Sequence, residues 1–152
     1  MYNGLIVEIL NNTPMGYRYL EHMTDVFIEV TGSTLEEAFA NAGVSVVDTM
    51  VDVNLVDEKT QKKIQINVKD LNHLLYNWLE EIIILTITEG FVPKRFSVRI
   101  TKKDDYDLVA TLYGEELDFK KHHFKMEVKS PTFHLMEINQ EKEVVMRFLL
   151  DL

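Results

Sequence analysis

The sequence predicts an α+β fold, mostly antiparallel, with helices packed on sheet. Three observations carry this. Short stretches in which apolar and polar residues alternate recur along the chain, which is the period of a half-buried strand. Two longer stretches instead repeat their apolar residues at helical spacing. Glycines and capping residues separate the two kinds of pattern. The 152 residues are enough for one domain with its own core.

Residues 1–15 are read as an N-terminal extension, either frayed or adding one edge strand through Leu5 to Leu10. The Asn11-Asn12-Thr13-Pro14 cluster separates it from the rest of the chain. Residues 16–152 are read as a single domain. From Asp25 to Thr31, Val26, Ile28 and Val30 alternate with polar residues, a strand that Gly32 ends. Ser33 and Thr34 each have a Glu three residues on, the spacing of a capping box. The helix they start buries Leu35, Ala38, Phe39, Ala42 and Val46 and stops near Asp48 to Met50. Val51 to Lys63 is polar and reads as a loop, and Ile64, Ile66 and Val68 read as a strand. Asp70 caps a second helix with Leu71, Leu74, Leu75, Trp78, Leu79 and Ile82 on its core stripe, ended by Glu89-Gly90. Strands come next at Phe96 to Ile100 and at Leu108 to Tyr113, the latter closed by Gly114, with a turn at Asp104 to Asp107. Phe124, Met126 and Val128 alternate again, as do Phe133 and Leu135, and the last strand runs from Val144 to Asp151.

Composition narrows the function. No apolar run approaches the roughly 18–20 residues of a membrane span, and no secretory signal is visible. The chain has no cysteine, which excludes disulfides, thiolate metal sites and a Cys nucleophile and suits a reducing cytoplasm, the expected compartment. A net charge of −9 argues against direct, non-specific RNA binding, which needs cations to displace counterions. It favours encounter with a basic partner, or serves solubility alone.

No nucleophile with an obvious base is present, nor a phosphate-cradling Gly loop or a His-Glu-x-x-His motif, so no catalytic residue is assigned. Asp25 stands at a strand start, where Asp is a common turn residue and where a side chain can also point past the sheet edge. Asp151 is the penultimate residue, ordinarily just solvated, yet one peptide unit joins it to the carboxylate of Leu152. With a third carboxylate such a pair suits a hard cation, which takes oxygen ligands. His22, three residues before Asp25, could orient it, touch a partner or ligate a metal; a structural His is the alternative. The pairs Glu36-Glu37, Glu80-Glu81 and Glu115-Glu116 read as exposed faces and caps. Lys120 to Lys125 is basic and reads as a solvated strand edge or a contact for an acidic group.

Four segments decide the reading: Tyr19-Leu20-Glu21-His22-Met23-Thr24-Asp25-Val26, Thr34-Leu35-Glu36-Glu37-Ala38-Phe39, Glu127-Val128-Lys129-Ser130-Pro131-Thr132-Phe133-His134 and Leu149-Leu150-Asp151-Leu152. In this order and spacing the chain, from Gly16 to Leu152, resembles the archease family. It departs from the family's pattern at Met23-Thr24 inside the His-x-x-Asp segment and at Ser130-Pro131 before the Thr-x-His segment. The resemblance implies a layered sandwich with both helices held between sheet layers. It implies a protein cofactor, not an enzyme, that activates the RtcB-type tRNA-splicing RNA ligase by promoting its guanylylation and multiple turnover. RNA would be met only through the ligase, and no membrane is involved. The family's metal ligands fall on Asp25, Asp151 and the Leu152 carboxylate, for Ca²⁺ or Mg²⁺, with Mn²⁺ a further candidate. His22, His134 and Lys129 fall where they could support the site or touch the partner. The rival readings are a chaperone or modulator of RNA-modifying enzymes such as a tRNA methyltransferase, and a metal-dependent phosphohydrolase.

Overall fold

The computed structural model describes residues 16–20 and 25–152. The edge strand expected at Leu5 to Leu10 and the residue His22 lie outside the described residues. Seven strands and two α-helices run in the order β1 (Tyr17–Leu20), β2 (Val26–Gly32), α1 (Leu35–Met50), β3 (Thr60–Val68), α2 (Leu71–Ile83), β4 (Phe91–Lys102), β5 (Tyr106–Glu116), β6 (Ser130–Asn139) and β7 (Val144–Asp151). They form two antiparallel sheets, one ordered β1-β2-β7-β6 and the other β3-β5-β4. Helix α1 touches β1, β2 and β7 on one side and β4 on the other; α2 touches β6 on one side and β3 and β5 on the other. Both helices are thus held between the sheets, the expected α+β sandwich.

The pattern that predicted each element also sets its packing. Thr34 caps α1 by accepting from the Glu37 N–H, while the Glu37 carboxylate reaches back to the Ser33 N–H at 2.9 Å. Asp70 caps α2 through the His73 N–H. Facing apolar stripes bring Phe39 of α1, Trp78 of α2 and Phe96 of β4 into one ring cluster. The Trp78 indole N–H, buried there, is satisfied by the Phe39 carbonyl at 2.8 Å.

Strand β1 is not among the elements the sequence pattern predicts. It is an end strand whose two tyrosines bury their rings and aim their hydroxyls at polar groups of α1. Tyr17 donates to Asp48 at 2.9 Å, and the Tyr19 hydroxyl lies 3.0 Å from that of Thr49. Burial, then the Asp48 charge, pushes the Tyr17 phenol far above its ordinary value.

Three expectations are corrected. The Val51 to Lys63 loop is shorter: a 3₁₀ turn occupies Val53–Leu55 and β3 already begins at Thr60. Gly114 does not close β5, which runs from Tyr106 to Glu116. The alternation of Phe124, Met126 and Val128 makes no strand; residues 117–129 form an irregular strap between β5 and β6. The strap laces the end of α1: Lys125 donates its N–H to the Met50 carbonyl at 2.7 Å and its ammonium to that of Asp48 at 2.7 Å.

Candidate functional site

Strands β2 and β7 bring the two ends of the domain to one tip. Their antiparallel register pairs Gly32 with Val144 and runs to Val26 opposite Leu150. Asp25, just before β2, and Asp151, the last residue of β7, each stand one residue beyond that final pair. Asp151 pairs with Ser130 of β6, and its carbonyl accepts the Lys129 N–H at 2.8 Å. Strand β7 is therefore held between β2 and β6 almost to its last residue. Leu152 is half-buried and packs against the core, which fixes the main chain beyond Asp151. Asp151 is exposed and Asp25 half-buried.

Among the described residues no three His, Cys, Asp or Glu side chains group closely enough to hold a metal by themselves. The tip offers two, Asp25 and Asp151; the third group of the expected set is a main-chain carboxylate. The donor set is wholly oxygen, and that chemistry fits Ca²⁺ or Mg²⁺ and not a soft metal.

Lys129 is exposed beside the tip. His134 is exposed in β6, within a register shift that separates Thr132 from Glu137. It does not line the core. The neighbouring Leu135 has a φ of 59°, which shows how sharply the strand bends there. Pro131 fits because it stands at the second position of an end strand.

A second cluster departs from the expected exposed faces. Glu115 is not exposed; it and His122 are buried beneath the strap. The Nδ1 of His122 accepts the Asp118 N–H at 3.0 Å, so the ring proton sits on Nε2 and is donated to Glu115 at 2.9 Å. The same carboxylate accepts the Asp57 N–H and the Lys121 ammonium at 2.8 to 3.0 Å. Burial works against its ionisation, but these donors outweigh burial and hold its pKa down at about 2. Lys120 to Lys125 is accordingly no strand edge: His123 has a φ of 52°, and His122 and His123 lie in a turn. The one sequence signal for the cluster is a basic, His-containing segment directly after a strand that ends in acids.

The sequence matches the archease protein family (MTH1598/TM1083) over residues 17–152. The chain belongs to the archease family. It is 41% identical over 129 residues to "Protein archease" of Pyrobaculum islandicum, covering 84% of this chain and 88% of that protein. It is 40% identical over 125 residues to "Protein archease" of Pyrococcus abyssi, covering 82% of this chain and 88% of that protein. The solution structure of Methanobacterium thermoautotrophicum protein 1598 superposes with a TM-score of 0.78 at 33% identity, covering 90% of this chain and 99% of that one. The archease fold is thus present over nearly its whole length in this chain. Among its described residues no helix is long and apolar enough to cross a membrane.

Proposed function

We propose that this archease is a metal-binding activator of an RtcB-type tRNA-splicing RNA ligase in the cytoplasm, and is not itself an enzyme. The observation that carries the reading is the β2–β7 register, whose final pair, Val26 with Leu150, leaves Asp25 and Asp151 as the next residues at the end of the sheet where Leu152 also lies. Asp25, Asp151 and the Leu152 carboxylate would hold Ca²⁺, Mg²⁺ or Mn²⁺. A cation bound there would supply positive charge against phosphate oxygens. The chain's own part is to place its ligands. Asp151 is fixed by pairing of its strand on both sides, Leu152 by its apolar contact, and Asp25 by the start of β2. A rigid, acidic tip of this kind suits insertion into a basic, phosphate-binding cleft of a partner. RNA is reached through that partner, in keeping with the net charge of −9.

The test is guanylylation and multiple-turnover ligation by the cognate ligase, with and without this protein. Wild type is expected to stimulate both, and Asp25→Asn and Asp151→Asn each to lose at least about tenfold of the stimulation, the scale of supporting-group losses at metal sites, with unchanged melting temperature. A ligase indifferent to the wild-type protein, or stimulated equally by both variants, overturns the reading. Recovery of a methyltransferase in place of a ligase would redirect it to a modulator of RNA modification.

A further inference from the structure

Beside the tip, but outside the carboxylate set, lies a surface stack of rings. Phe133 of β6 lies flat on Tyr76 of α2, with centroids 4.3 Å apart and planes at 9°. His73 meets the same ring at 5.0 Å, tilted by 52°. Residues 73 and 76 are three apart and share one face of α2, so both cover the helix side of the Phe133 ring. Despite these two neighbours Phe133 is 46% exposed. The strand breaks register between Thr132 and Glu137 to put the ring there, with Leu135 held at a positive φ, a local cost that points to use. Lys129 stands four residues before Phe133, an extended-chain span of roughly 13 Å. It is exposed and makes no side-chain ion pair among the described residues.

We infer that Phe133, backed by Tyr76 and His73, is a stacking platform for an unstacked nucleobase whose phosphate is met by Lys129. An open π-face on a pre-stacked aromatic is what bases bind when sequence is not being read. The exposed Lys129 on the same stretch of chain supplies the charge complementarity for a phosphate. The same anionic surface that opposes a long polynucleotide limits the ligand to a few nucleotides at most, either a free nucleotide or the end of an RNA strand. This goes beyond the activator reading and does not depend on it, since neither the platform nor Lys129 belongs to the carboxylate set.

The test uses the full chain in EDTA, titrated with GMP, with guanosine and with a three-nucleotide single-stranded RNA, followed by NMR shifts of the Tyr76 and Phe133 ring resonances. Saturable shifts of these rings are expected, with GMP binding more tightly than guanosine. Phe133→Ala is expected to weaken binding about tenfold, within the range for loss of one stacking ring, and Phe133→Trp to retain it. Lys129→Ala is expected to bring GMP down to the affinity of guanosine. Binding in EDTA, without any metal, separates this proposal from the metal reading. Tighter binding of GMP identifies a free nucleotide as the source, and tighter binding of the trinucleotide a strand end. If neither shifts the rings, or if Phe133→Ala binds as wild type does, the platform is overturned. The same holds if Phe133→Trp, folded by its spectrum, fails to bind.

Discussion

Glu115 illustrates how one buried carboxylate can organise a segment that has no regular structure. Four of its contacts come from outside its own strand: the Asp57 N–H, Lys59, Lys121 and His122. Its pKa of about 2 lies below the ordinary 4.5, so the folded state favours the charged form. Stability from this group is present above pH 4.5 and is lost as pH falls through 2. The shift corresponds to on the order of 3 kcal/mol at neutral pH. Glu115→Gln is expected to cost about that much at pH 7 and to flatten the decline of stability between pH 4.5 and 2; urea melts across that range check it. Equal slopes in variant and wild type would mean another carboxylate controls acid unfolding. Thr132 is the opposite case. Its hydroxyl is buried with no hydrogen-bond partner among the described residues. Thr132→Val keeps the shape and removes the orphan, so it is expected to stabilise the protein by about 1 kcal/mol, which a thermal melt measures. Neither residue is legible as such in the sequence. Glu115 looks like half of an exposed acidic pair because what covers it, the strap, is contributed by later residues. Asp25 and Asp151 are legible only as two acids at strand ends; that these ends lie at the same end of the sheet comes from the register of β2 with β7.

At the scale of elements, local signals are legible and partners are not. The caps at Thr34 and Asp70 and the core stripes of α1 and α2 stand where their patterns predict, because capping and helical amphipathicity are settled within a few residues. The strap is where alternation misleads. Phe124, Met126 and Val128 have the period of a strand, but the segment spends its main-chain groups on α1 and on its own turn, including Phe124 N–H to the Phe119 carbonyl at 3.0 Å. Strand β4 begins earlier than its alternation suggests, since Phe91, Val92 and Pro93 are all buried and do not alternate. Pro93 lacks a donor, and the β4–β5 register shifts between Pro93 and Arg95. Two glycines bound this region for different reasons. Gly114 on β5 lies so close to β4 that a Cβ would sit 2.7 Å from the Pro93 Cα and closer still to the Val92 carbonyl. Gly90 has nothing within 4 Å of its would-be Cβ, but its φ is +71°, where it ends the π-turn Ile84–Thr88 that extends α2. Gly90→Ala is expected to cost about 1–2 kcal/mol through backbone strain alone. Gly114→Ala is expected to cost at least about 3 kcal/mol, because backbone and not a mobile side chain must move. Thermal melts that ranked the two the other way would refute the close approach of β4 and β5.

The whole molecule is a sandwich in which the start of β2 and the end of β7 meet at one end of a sheet. Strand β7 is an inner strand of its sheet, and its last residue, Asp151, is the exposed end of it. A terminal residue is ordinarily mobile and solvated. Here β7 is paired on both sides and Leu152 packs on the core, so the proposed site would rest on a fixed support. Extending the chain beyond Leu152 by a few residues replaces the Leu152 carboxylate with a neutral peptide carbonyl and places a tail over the tip. One formal charge of three leaves the proposed site. Loss of a supporting group at a metal site costs about 10–100-fold in affinity, and loss of a direct ligand is expected to reach the upper end. Calorimetry with Ca²⁺ and with Mg²⁺ measures this, and ligase stimulation is expected to fall with it. The melting temperature without metal is expected to stay unchanged, because Val144, Met146, Phe148 and Leu150 still fill the core from the inner side of β7. An equally long tag before Met1 is expected to change neither quantity. If the C-terminally extended protein binds the cation and stimulates ligation as the untagged one does, Leu152 is no ligand and the tip does not enter the ligase. If binding is lost but stimulation persists, the cation is structural and the contact with the ligase lies elsewhere on the sandwich.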